Sequence, residues 1–228
     1  MFAINHAATA LLVKRRYPRA SLVLLLMSVQ LMELLWVLFN ALGLEQTHTE
    51  ATVQTVGDIH LAYMPYSHSV LSAVVLAGLA GWIAAKMSGY AGIGWATAWG
   101  VISHLILDLV THEPDIALAP GMTTPMLGLG LYSSAPWVAF LGELSFGILC
   151  WWIWRGTPGL LALIVLFNLA NLSMFSASIP GPEQWMAGRP GLIVAVIAVQ
   201  IAVTLLLVGW LARRGSGPQS GDAEAVTE

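Results

Sequence analysis

The chain has 228 residues, 57% hydrophobic and 9% charged, with a mean hydropathy of +0.77. A soluble domain carries roughly 25% charged residues, so a solvated globular surface is excluded. Nine Lys and Arg against twelve Asp and Glu leave a net charge of −3 and no basic patch for a nucleic acid. The single cysteine, Cys150, lies in an apolar run and excludes a disulfide framework or a cysteine-based zinc module. A polytopic membrane protein remains, with the lipid bilayer as its first partner.

A helix needs about 20 mostly apolar residues to cross the hydrocarbon core. Residues 2–13 (FAINHAATALLV) are too short for that and are expected to form a re-entrant or interfacial helix folded back at 14–19. Apolar runs follow near 20–42, 66–86, 90–111, 135–154, 158–178 and 190–212. The expected fold is therefore an all-α membrane bundle of six transmembrane helices plus the short N-terminal helix. Residues 1–214 read as one integral membrane domain and 215–228 (GSGPQSGDAEAVTE) as a disordered cytoplasmic tail. With six spans, Lys14, Arg15, Arg16, Arg19, Lys86, Arg155, Arg213 and Arg214 fall on one side, and Arg189 alone on the other. The positive-inside rule then places both termini in the cytoplasm and the long loops 43–65 and 112–134 outside.

Ionisable groups within spans are costly, face the protein interior and mark function. The last two spans hold none, and Asn168, Asn171 and Gln200 read there as interhelical hydrogen-bonding groups in a scaffold. The other four spans hold Glu33, His68, His104, Asp108 and Glu143, with His112 at the end of the third. Counted from the basic ends at 1.5 Å per residue, Glu33 and His104 lie at about 21 and 22 Å. On the same count His68 and Asp108 lie at about 27 and 28 Å, Glu143 near 18 Å and His112 near 34 Å. Four groups from three helices thus converge on the outer half of the bilayer, as a shared polar site opening outward requires.

His104, Asp108 and His112 follow at i, i+4 and i+8 and share one helix face. Imidazole and carboxylate at that spacing suit a cation, or a plain hydrogen bond between the two side chains. In MPYSHS (64–69), Pro65 suits a first helical turn and Ser67 a cap, which would keep His68 neutral and able to bind metal. Glu33, in QLMELLW, needs a cation, a histidine or a proton to neutralise it at that depth. Glu143 has no basic partner in sequence and reads as protonated, as a support to the ligands, or as a general acid/base. Asp58 and His60 lie near enough to reach the mouth, whereas His48, Glu45 and Glu50 read as ordinary loop residues. His6 falls about 9 Å below Glu33 on the same count and is a candidate ligand only through the re-entrant helix.

The segment SHLILDLVTHEPD (103–115), together with YSHS (66–69), resembles the bacterial inner-membrane family of membrane-bound metal-dependent hydrolases. Ser67, His68 and Ser69 match its first element, and Ser103, His104, Asp108 and Thr111 its second. An early histidine, here His6, and an acid ending the second helix, here Glu33, also belong to the pattern. QLMELLW, DIHLAYMPYSHS, the stretch 103–121 and GLGLYSS (128–134) are similar to a less characterised branch, so the resemblance covers about residues 4–150. The family has two Asp where this chain offers Glu33, and a His-Arg-Gly that this chain lacks. His60, Asp58 or His112 are the expected substitutes.

What the resemblance implies is an enzyme of the bacterial inner membrane that holds a divalent ion such as Zn²⁺ and hydrolyses a phosphoester or another lipid-linked substrate. The ligands would be His68, His104, Asp108, Glu33, His112, His60, Asp58 and His6, and Glu143 or Glu33 would pass protons. Intramembrane His, Asp and Glu equally serve proton- or cation-coupled transporters. A metal-stabilised membrane protein without catalysis is the third reading, and an open ligand position separates it from the first.

Overall fold

The computed structural model describes residues 1–214; the expected tail at 215–228 lies outside the described residues. Ten α-helices occur among these residues, in order α1 Ala3–Arg16, α2 Leu22–Val29, α3 Leu31–Ala41, α4 Pro65–His68, α5 Val70–Ser88, α6 Ala91–Thr111, α7 Leu131–Ser134, α8 Pro136–Trp154, α9 Pro158–Ala170 and α10 Pro190–Arg214. α5, α6, α8 and α10 are long and apolar enough to cross a membrane. A fifth candidate is the α2–α3 pair, bent by 54° at Gln30. α9 is apolar but only 13 residues long, and a 3-10 turn, Leu172–Phe175, follows it. Large apolar side chains such as Val74, Leu79, Leu141, Leu149 and Leu206 face outward, as a lipid-facing surface requires.

The two long loops are not purely irregular. An antiparallel ribbon, β1 Gln46–Thr49 and β2 Ile59–Tyr63, occupies the first, and a two-residue pair, β3 Ile116–Ala117 and β4 Met126–Leu127, the second. The fold is helical with these small additions.

The greatest departure from expectation is α1. Residues Ala3 to Leu11 are all buried, with Ile4, Ala7, Ala8, Ala10 and Leu11 fully so. α1 is thus not interfacial; it packs against α2, α6, α8, α9 and α10 at the centre of the bundle. Its alanines make this feasible, because small side chains let neighbouring backbones approach closely. Its basic end is tied down where Arg15 donates to the Ile153 carbonyl, while Arg19 stacks 5.1 Å from the Tyr90 ring. Met1, at the other end, donates to Asp108 within the bundle at 2.8 Å, so the residue expected at the cytoplasmic face lies away from the basic end.

Two backbone details place the site. Gln30 breaks the expected first span (φ −109°, ψ 5°), and its buried side chain donates to the Ala3 carbonyl at 2.9 Å, fixing the bend against α1. α5 and α6 meet at Gly81 and Gly94, where an added Cβ would come 2.6–2.8 Å from the facing carbonyl oxygen. That close approach holds the second and third expected spans as one rigid hairpin.

Candidate metal centre

α6 carries His104 and Asp108 on its inner face, both essentially unexposed. His112 caps the same helix, with its side chain 16% exposed at the cavity mouth. Three other elements bring groups to this stripe: α1 gives His6, α3 gives Glu33 just past the bend, and the single turn α4 gives His68. Ser69, extended at ψ 154°, separates α4 from α5 and caps α5 by accepting from Ser72 N. The expected cap, Ser67, is instead bound to His68 and Glu45.

The tautomers of two histidines follow from their neighbours. His104 Nδ1 lies 2.7 Å from the Val29 carbonyl oxygen, which can only accept, so Nδ1 carries the hydrogen. Ser67 Oγ donates to Glu45 Oε2 at 2.7 Å and therefore accepts from His68 Nδ1, also at 2.7 Å. Glu45 Oε1 is held by the backbone N–H groups of Tyr66 (2.9 Å) and Ser67 (2.8 Å). In its neutral form each ring then aims an Nε2 lone pair inward, and among the described residues neither Nε2 has a hydrogen-bond partner.

Both lone pairs meet carboxylates. Glu33 Oε2 lies 3.3 Å from His68 Nε2 and 3.6 Å from His104 Nε2. Asp108 Oδ2 lies 3.0 Å from His104 Nε2 and 3.8 Å from His68 Nε2. A tetrahedral ion held about 2.0–2.2 Å from N and O donors needs its ligand atoms about 3.3–3.6 Å apart. Those four separations bracket that edge length. With both rings neutral, lone pairs directed at carboxylate oxygens repel and a cation between them removes the repulsion, so the donor set could hold a divalent ion. Buried histidines oriented by a carbonyl and by a serine–carboxylate relay are also the outer shell that metal-binding imidazoles use.

His6 joins this centre, contrary to the straight-helix height count. Its ring stacks on His104 with centroids 3.8 Å apart, and its Nε2 lies 3.2 Å from Asp108 Oδ1. His6, His104 and Asp108 form one compact set of ligand atoms, and Glu33, His68 and His104 another. His112 is more distant, 3.8 Å from Asp108 Oδ1, and also faces Asp115 at 3.6 Å.

Other candidates lie elsewhere. Asp58 accepts from the backbone of Gln54 and Thr55 at 2.8 Å each, closing a turn in the loop, and His60 pairs with exposed Glu50 at 2.8 Å. Glu143 does not face the imidazoles. It accepts from Phe2 N (3.0 Å), Asn5 Nδ2 (2.7 Å) and Tyr132 Oη (2.5 Å). Burial and this carboxylate hold the Tyr132 phenol well above its ordinary pKa, so it stays a donor. Asn5 also donates to Asn168 at 3.0 Å, so Glu143 anchors the start of α1 and thereby His6.

Glu45 is the group that sequence reading passed over as an ordinary loop residue. It is 2% exposed, and the register of β1 on β2, with Gln46 opposite Tyr63, carries it back to Pro65–Ser67. Alternation within 46–49 and 59–63 was the one available signal. The segment 128–134 settles on the end of α6: Gly128 (φ +143°) would place a Cβ 2.1 Å from the Glu113 carbonyl, and Gly130 N donates to the His112 carbonyl at 2.7 Å.

A cavity of about 170 Å³ lies over the centre and opens at the end of the bundle opposite Arg15 and Arg16. Glu33, Asp108, His6 and His112 form its polar floor, while Ile197 and Ile201 of α10 contribute an apolar wall. α10 is therefore more than the scaffold its composition suggested. Among the described residues no Lys or Arg lines the cavity, whereas the Met1 ammonium does, bound to Asp108 and Thr111. Comparisons with family models, curated proteins and solved structures found no match for this chain.

Proposed function

We propose that this protein is a membrane-embedded, metal-dependent hydrolase of a bacterial inner membrane, acting on a phosphoester or other lipid-linked substrate from the outer side. One observation carries the reading. Two buried imidazoles with fixed tautomers direct unpartnered Nε2 atoms at two carboxylates, at tetrahedral edge distances, beneath an open cavity. The bent α2–α3 pair, α5, α6, α8, α9 with its following turn, and α10 are taken as six spans, with the basic ends cytoplasmic.

Glu33, His68 and His104 would hold the ion, with Asp108 Oδ2 beside His104 Nε2 at 3.0 Å, zinc being the metal that best suits this nitrogen and oxygen set. A divalent ion there supplies Lewis acidity to an ester oxygen and activates water near neutral pH. The remaining chemistry belongs to the chain. His6 presents Nε2 to Asp108 Oδ1 at 3.2 Å and so holds that carboxylate in place, while its buried Nδ1 has no partner among the described residues. Glu33, with its side chain 23% exposed, is the ligand nearest solvent and the group placed to relay a proton. Val29 and the Ser67–Glu45 pair prevent the rings from turning away. Among the described residues the cavity lining carries no Lys or Arg, and the Met1 ammonium that also lines it is bound to Asp108 and Thr111, so an anionic ester would bind chiefly through the ion.

The test is elemental analysis of the detergent-purified protein beside Asp108→Asn and His104→Ala, followed by a screen of phosphoester lipids. Metal in the wild type, lost in both variants, with hydrolysis that follows the metal, supports the reading. A folded, metal-free protein that cannot be loaded overturns it.

A further inference from the structure

The cavity over the metal centre is not closed on the side of α10. A second cavity, of about 340 Å³, lies between the end of α9 and α10, and both cavities are lined by Asn171, Met174, Met186, Val196 and Gln200. One hydrogen bond crosses the partition, from Gln200 Nε2 to Asn171 Oδ1 at 3.3 Å. Beyond it, the second cavity is bounded by Val199, 62% exposed, and Val203, 39% exposed, both on the outer surface of the bundle.

The gap has a cause in helix length. α9 has 13 residues and α10 has 25, or about 20 Å against about 37 Å. About 17 Å of α10 therefore runs without α9 beside it. The 3-10 segments Leu172–Phe175 and Pro182–Met186 cover that stretch only in part. Gln200 lies ten residues along α10 from Pro190, about 15 Å below that end. The opening thus faces hydrocarbon, not water.

We infer that this gap is a lateral portal through which one hydrocarbon chain of a membrane lipid reaches from the bilayer past Asn171 and Gln200, with the lipid's head over the Glu33–Asp108 centre. This rests on the reading of the centre given above and names the physical form of its substrate. Depth supports the orientation. Asp108 lies three residues from the end of α6, only about 5 Å deep, whereas the portal opens about 10 Å deeper. A lipid of the outer leaflet has that arrangement, polar group shallow and tail toward the midplane. The lining supports the chain's chemistry, since Met174, Met186, Val196, Val199 and Val203 are apolar and unbranched or compact, and no Lys or Arg is among the lining residues. Ser173 Oγ donates to Glu183 Oε2 at 2.9 Å, and Glu183 Oε1 is the one buried carboxylate oxygen of this lining without a hydrogen-bond partner among the described residues.

The test uses a phosphatidylethanolamine with a diazirine in the middle of one acyl chain, in vesicles of phosphatidylethanolamine and phosphatidylglycerol containing the full chain. Light-induced label is mapped by peptide. Label is expected on 196–203 and 167–174 at several times the level on the outer face of α5 around Val74 and Leu79. Val196→Trp, which fills the passage, should lower it at least tenfold. Leu206→Trp, on the same helix but 73% exposed and outside the cavity, should leave it unchanged and shows that the added ring is tolerated. Label on α10 no greater than on α5, or indifferent to Val196→Trp, overturns the portal. Bound metal with hydrolysis but no such label removes the portal alone. Label without bound metal leaves the portal standing and removes the hydrolase.

Discussion

Ser67→Ala isolates the support of the candidate metal centre from the candidate ligands themselves. The substitution removes one hydroxyl that touches no candidate ligand atom other than His68 Nδ1, at 2.7 Å. Glu45 keeps its two backbone donors, Tyr66 N at 2.9 Å and Ser67 N at 2.8 Å, so the loop stays in place. The His68 ring loses its acceptor and is free to turn or to change tautomer, which takes Nε2 away from Glu33. Removing such a support costs about 10–100-fold in metal affinity, or about 1.4–2.7 kcal/mol. The assay is a zinc titration against a competing chelator in detergent, with thermal unfolding as the control. Stoichiometry should be kept and affinity lowered by one to two decades. Glu45→Gln should do the same, and the double variant should fall short of the sum, because both act through one ring. Affinity within twofold of wild type in Ser67→Ala, with His68→Ala inactive in binding, would refute the relay.

Further outcomes follow from the same contacts. Asn5→Ala leaves Glu143 two of its three donors and unties Asn168; a loss of about 1–3 kcal/mol is expected, read as a lower midpoint of thermal unfolding. Gly94→Val puts a side chain where the Gly81 carbonyl would stand 2.6 Å from its Cβ, so the α5–α6 hairpin must separate, at a cost of at least about 1–3 kcal/mol, seen as lower yield of monodisperse protein. His60→Ala breaks only an exposed pair with Glu50, worth about 0–1 kcal/mol, and should leave metal content unchanged. Metal lost in His60→Ala would place the loop in the centre.

The α6 stripe was legible because three chelating side chains at four-residue spacing need no tertiary information to share a face. Glu33 and His68 followed from their depth in apolar runs. His6 did not, because the depth count assumed straight helices starting at the charged flanks. α1 stays helical to Arg16 and α2 begins only at Leu22, so the two groups stand closer in height than counted. The bend at Gln30 then changes the course of the helix, and Glu33 meets His68 of α4 and His104 of α6. Glu45 lay beyond reach for a different reason. Its partner is 22 residues away, and only the ribbon register joins them. α10 reads as scaffold from sequence because a wall of isoleucine and valine has no titratable mark, although such a wall is what gives a cavity its shape.

The burial of α1 also bears on how the protein is made. Asn5, His6, Thr9 and the basic run Lys14–Arg16 make this segment too polar to rest in lipid alone. Its polar partners, Asp108, Glu143 and Asn168, belong to α6, α8 and α9. These are synthesised much later than α1. α1, which precedes them in the chain, therefore has no finished berth until most of the chain is inserted. Its docking therefore follows theirs, and the candidate centre is complete only once α6, α8 and α9 are in place.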